Sequence, residues 1–188
     1  MSRSETSESG PLKSGYPILD PGALAVGAMV TALVAPVFAW VRLAPSSLAT
    51  PPAAFQLMML AASALLTLTI AVVQIFVHIN AFGGSVIRGN RDNYPTGGGF
   101  NARIGRAHAN AVENLVPFAA VVLSANAMGI CNLWTAAASA LFLASRILHA
   151  LSYAAGVTVV RSAAFYAGVF ATALIAIQLP LLSTFRWS

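Results

Sequence analysis

A chain of 188 residues that is 58% hydrophobic and 8% charged, with a mean hydropathy of +0.78, has too little polar surface to cover a water-soluble domain. Soluble domains keep about a quarter of their residues charged, so the deficit points to an integral membrane protein. The formal charge of +5 comes without a basic cluster beside aromatic platforms, which argues against a nucleic-acid partner. Cys131 is the single cysteine, which excludes an intrachain disulfide and a thiolate metal site. His78, His108 and His149 lack short metal-ligand spacing, and no zinc is expected.

In chain order, residues 1–21 are polar, rich in Ser, Gly and charge, and lack the apolar run of a packed element; a disordered tail is expected. The apolar segment 22–43 is long for a signal-peptide core and has no small-residue exit before further apolar segments. It reads as a retained transmembrane helix with a kink at Pro36. Ala44, Pro45, Ser46 and Ser47 stop it, and Pro51 and Pro52 open a second helix over 53–82, whose length implies tilt or an extension past the membrane face. Thr67, Gln74 and His78 share one side of this second helix, either bonding to neighbouring helices or lining a site.

Residues 83–101, GGSVIRGNRDNYPTGGGFN, contain six glycines and break the apolar pattern. They form an irregular connection, with Asn101 a candidate N-cap for the third helix. Three more helices are expected over 102–128, 133–156 and 162–182, with 183–188 as a tail. The short link 129–132 makes the third and fourth helices antiparallel neighbours, and the run Ala136, Ala137, Ala138, Ser139, Ala140 offers a narrow surface for close packing.

Charge predicts the topology. With the 83–101 loop in the cytoplasm, that side gathers Arg88, Arg91, Arg103, Arg106 and Arg161, together with Arg3 and Lys13 from the tail. Arg42 and Arg186 remain opposite, and Arg146 lies within a helix. Five crossings then put the N-terminus in the cytoplasm and the C-terminus outside.

Two polar stripes interrupt the apolar helices. Arg106, Asn110, Glu113 and Pro117 recur at spacings of four, three and four, and Arg146, His149 and Tyr153 at three and four, so each set lies on one helical face. Arg161 and Ser162 stand at the expected start of the last helix, where the serine hydroxyl can cap the backbone. These groups converge on the cytoplasmic half of the bundle. Glu113 admits two arrangements: pairing with Arg106 or Arg146 to neutralise charge in a low dielectric, or leaving surplus arginines for an anionic ligand. Arginine suits the second because its planar fork holds a carboxylate at two points. Tyr153 is either an interfacial anchor or a hydroxyl donor, and His149 lacks an adjacent nucleophile that would make it an evident general base.

The segment RAHANAVENLVPF over 106–118 resembles the signature of the membrane-associated glutathione and eicosanoid metabolism superfamily, MAPEG, and RILHALSY over 146–153 followed by Arg161-Ser162 resembles its prostaglandin synthase branch. The second helix and the GNRDNYP loop resemble bacterial members, so the likeness covers about 53–182. The resemblance implies a four-helix bundle, here with one additional N-terminal transmembrane helix, that assembles as a homotrimer in a bacterial inner membrane. Glutathione, as cosubstrate, would lie between subunits near the cytoplasmic face. It implies that Arg106, Asn110, Glu113, Arg146, His149 and Tyr153 bind glutathione, with Arg88 a further basic contact from the loop, and that Arg161 and Ser162 activate the thiol. The sulfur would attack a small hydrophobic electrophile entering from membrane lipid, with peroxidase activity a further expectation. Ala109 and Asn114 depart from the prostaglandin and leukotriene branches, which favours a general transferase over an eicosanoid enzyme. The competing reading is a non-catalytic scaffold or lipid-binding module in which Glu113 is closed off by arginines of its own subunit.

Overall fold

The computed structural model describes residues 28, 31, 32, 35, 39, 51–90, 95 and 97–182. Among them the chain is all helical: α1 (Pro52–Phe82), α2 (Gly84–Arg88), α3 (Gly99–Ala127), α4 (Leu133–Ala155), α5 (Thr158–Ala176) and α6 (Gln178–Leu182). Four of these are long and make the bundle. The additional helix expected over 22–43 falls outside the described residues except at Ala28, Thr31, Ala32, Ala35 and Ala39, as do both expected tails.

By length and apolarity, three helices among the described residues are fit to cross a membrane: Pro52–Phe82, Leu133–Ala155 and the continuous stretch Thr158–Leu181. Of the four crossings expected within the described residues, the one over 102–128 is not among them. The helix α3 is long enough at 29 residues, but Arg103, Arg106 and Glu113 on it lower its apolarity below that of its neighbours.

Pro52 opens α1, where a missing amide donor removes nothing from the helix. Its buried positions are Gln56, Ser63, Ile70 and His78, close to a seven-residue repeat, whereas Leu57, Met58, Leu65, Leu68, Val72 and Phe76 are exposed. This inverts the pattern of a soluble helix: polar and small groups face protein, and large apolar ones face outward, as lipid demands. Thr67 bonds within its own helix, its hydroxyl donating to the Ser63 carbonyl at 3.0 Å, so it does not tie α1 to a neighbour.

The central element is α4, which packs against α1, α3 and α5; α3 also packs against α1 and α5. Ala136, Ala137 and Ala138 are almost wholly buried, the close approach that small side chains permit. Around them Phe118 and Phe142 stack with ring centroids 3.7 Å apart, joined by Val122, Ala125, Leu141, Ala171 and Ile175. A second apolar cluster of Ile70, Ile104, Ala107, Ala111 and Tyr153 closes the other part of the bundle.

Two tight turns fix the order. Asn132 starts α4 with a reciprocal cap: its Oδ1 accepts from the amides of Trp134 and Thr135 at 2.9 and 3.1 Å, and its own amide donates to the Thr135 hydroxyl at 3.0 Å. The same pole is tied across the bundle, since Gln56 Nε2 donates to the Thr135 hydroxyl at 2.6 Å and Asn132 Nδ2 to Gln178 Oε1 at 2.8 Å. At the far end of α4, Gly156 takes a left-handed conformation (φ 78°) and the Val157 amide reaches back to the Ser152 carbonyl at 3.0 Å. The helix α5 then begins at once, at Thr158 rather than at the expected residue 162. Ser162 is therefore inside the helix and donates to the Thr158 carbonyl at 3.1 Å instead of capping it. Likewise α3 begins at Gly99, so Asn101 lies in its first turn and is not its N-cap.

Candidate functional site

The α4–α5 hairpin sets the geometry. Because only Gly156 and Val157 separate the two helices, the last turns of α4 lie against the first turns of α5, bringing His149 and Tyr153 beside Arg161, Ser162 and Phe165. Asn110 arrives from α3, and together with Tyr166 these residues line a cavity of about 150 Å³. Such a volume takes a side chain or a thiol-bearing arm rather than a whole tripeptide.

Aromatic rings and polar groups share the walls. His149 meets Tyr153 edge to face at 5.0 Å between centroids and lies 6.2 Å from Phe165, which meets Tyr166 edge to face at 5.6 Å. The Arg161 guanidinium carbon stands 4.8 Å from the centroid of the Tyr153 ring, within the range where the ring's negative face attracts a cation. This holds the positive charge at the cavity wall, and no carboxylate among the described residues lines that wall beside it. Asn110 is half-buried among the lining residues, and its main-chain carbonyl accepts from the Asn114 side-chain amide at 2.8 Å.

Of the nine residues expected to form the site, five line this cavity: Asn110, His149, Tyr153, Arg161 and Ser162. The other four stand apart from it. Arg106 and Glu113 are on the exposed face of α3, and Arg88 is exposed at the end of α2, donating to the Gly84 carbonyl at 3.3 Å. Arg146 is buried and engaged elsewhere: its Nη2 donates to the carbonyls of Ala164 and Phe165 at 3.0 and 3.1 Å. Glu113 is the one acidic residue among those described, so the arginines of the described bundle outnumber their carboxylate partners.

Phe165 and Tyr166 line the cavity without having been expected there. The signal for them was present in the spacing, since they follow Arg161 and Ser162 by four residues each and so share their face of α5. At the opposite pole Cys131 is half-buried, and burial pushes its thiol above the usual range, with a hydrogen bond to Gln56 opposing this. A raised thiol pKa lowers the thiolate fraction, and with it the nucleophilicity, near neutral pH.

The class these features define is a helical membrane bundle with a small polar pocket at the mouth of its last hairpin. A MAPEG family model matches residues 55–180, two thirds of the chain and all four long helices, and the chain belongs to that family. No curated protein and no solved structure matches it.

Proposed function

We propose that the protein is a glutathione-dependent membrane transferase, joining the glutathione thiolate to small hydrophobic electrophiles supplied by the bilayer. Family membership supports the general class, and one observation carries the reading: Arg161 and Ser162 face the same small cavity as Asn110 and Tyr153. A thiol with a pKa near 8.5 is largely protonated at neutral pH, and lowering it by about 1.5 units needs about 2 kcal/mol of preferential thiolate stabilisation. The half-buried Arg161 guanidinium supplies that order of energy, joined by the Ser162 hydroxyl once its proton turns from the Thr158 carbonyl to the thiolate.

The cavity holds the reactive arm, and the rest of the tripeptide extends onto the exposed part of α3, where Arg106 and Glu113 offer one cationic and one anionic contact. A trimer in the bacterial inner membrane, with the N-terminus cytoplasmic, gives that surface a cover, since a neighbouring copy would close over charged groups otherwise left at the bundle exterior. The scaffold alternative needs Glu113 closed off within its own subunit. Its exposure and the engagement of Arg146 with backbone carbonyls favour the open arrangement.

The experiment is glutathione binding by purified protein in detergent and in nanodiscs, followed by conjugation to chlorodinitrobenzene. Wild-type protein binds glutathione and shifts its thiol toward thiolate, and Arg161→Ala loses conjugation more than binding. No binding in either medium rejects the reading.

A further inference from the structure

We infer that Arg146 is a positioning residue that clamps α4 to α5 and so aims Arg161 and Ser162 into the cavity, rather than a group that touches glutathione. The inference rests on the proposed transferase reading for its catalytic consequence, while the clamp itself is a matter of geometry. Arg146 is 4% exposed and does not line the cavity. Its Nη2 is shared between the carbonyls of Ala164 and Phe165, and its Nε donates to the Ser145 hydroxyl at 3.4 Å. The guanidinium is flanked by Phe142 and Phe165, at 5.5 and 5.8 Å from their ring centroids.

Carbonyls in the body of α5 already accept from amides four residues on, so Arg146 takes up their second lone pairs. That bond fixes the rotation and height of α5 against α4 one turn beyond Arg161 and Ser162. Phe165 belongs to both sides of the arrangement: its carbonyl receives the clamp and its ring lines the cavity.

The opposing helix is shaped for this. A Cβ on Gly168 would collide with Arg146 Nη2 and lie 2.8 Å from Arg146 Cζ and 2.7 Å from the Ser145 hydroxyl. Gly168 has ordinary helical backbone angles, so its lack of a side chain is needed for space and not for conformation. Arg146 Nη1 finds no partner among the described residues, which is why a direct ligand contact is the alternative to be tested.

The test compares wild type, Arg146→Ala, Arg146→Lys, Gly168→Ala and the Arg146→Ala/Gly168→Ala double variant in nanodiscs. A displacement of about 1 Å at a reacting centre costs up to about a hundredfold in rate, so kcat for chlorodinitrobenzene conjugation falls at least about tenfold in Arg146→Ala and Gly168→Ala. KM for glutathione stays within about threefold, and the alkaline shift of the kcat–pH profile follows the less well stabilised thiolate. Lysine, which also donates to carbonyls, restores part of kcat, and the double variant is no worse than Arg146→Ala because the two changes break one contact. A raised KM with kcat intact in Arg146→Ala makes the residue a ligand contact and overturns the inference, as does a silent Gly168→Ala. Amide exchange over residues 158–168 separates the two claims: faster exchange in Arg146→Ala supports the clamp even if wild type fails to bind glutathione, and unchanged exchange overturns it.

Discussion

Arg161 lies over the face of Tyr153, its guanidinium carbon 4.8 Å from the ring centroid, with the two residues on successive helices of one tight hairpin. The contact orients the cation that the proposed mechanism sets against the thiolate. A shielded cation–π contact is worth about 2 kcal/mol, so Tyr153→Leu is expected to lower kcat/KM for glutathione by about tenfold or more. Tyr153→Phe keeps the ring face and separates it from the hydroxyl. Equal losses in both variants would move the role from the ring to the phenolic oxygen.

The pole away from the cavity is joined by Gln56, which is fully buried and donates to Thr135 across 79 positions of sequence. Removing it leaves the Thr135 hydroxyl, itself part of the α4 cap, without its interhelical donor. Gln56→Leu is expected to destabilise the bundle by about 1–2 kcal/mol, read as a lower Tm in detergent. Conjugation per folded molecule stays at the wild-type level, because the cavity is built from the other ends of α4 and α5.

Phe118 and Phe142 are 0% and 1% exposed and stack on one another, joining α3 to α4. Truncating either ring leaves a void that a close-packed interior fills only in part. Phe118→Ala is expected to cost about 3–5 kcal/mol, measured by thermal or denaturant unfolding in micelles. A Tm within a degree or two of wild type would mean that the stack contributes little to the bundle.

Much of the fold was legible because its punctuation is chemical. Pro51 and Pro52 open α1 and Gly83 follows its last residue, so the expected 53–82 and the observed Pro52–Phe82 nearly coincide. The start of α5 was not legible, because the run Val157, Thr158, Val159, Val160 carries no strong start signal and the break belongs to Gly156 before it. At the site, spacing brought His149 and Tyr153 onto one face but did not tell whether a face turns inward. Arg106 and Glu113 share the Asn110 stripe and yet are exposed. The partners of Arg146 left no trace either, since backbone carbonyls look the same at every position of a sequence.

Cys131 is the one thiol of the chain, half-buried in the turn before α4. Burial holds its thiol above the usual range, and only the thiolate is the nucleophile. Alkylation by iodoacetamide near neutral pH is therefore expected to be slower than that of a free cysteine, with the rate rising toward alkaline pH later than the free thiol's. Conjugation activity should survive Cys131→Ser. Rapid labelling at neutral pH, at the rate of an exposed thiol, would contradict this account of its surroundings.

Arg106 and Glu113 stand seven residues apart on the exposed face of α3, about 10 Å along the helix axis, too far for a close ion pair with one another. A charged group on a membrane-facing surface costs about 2.5–3.5 kcal/mol near the bilayer centre, and the cost shrinks when another polar surface covers it. In the proposed trimer that cover is a neighbouring subunit, with glutathione at the seam. Glu113→Gln is expected to weaken glutathione binding by about tenfold, the order of one lost charge-assisted contact, and to loosen the trimer seen by native mass spectrometry. A variant that assembles as wild type does and binds glutathione with an unchanged Kd would place the seam on another face of the bundle.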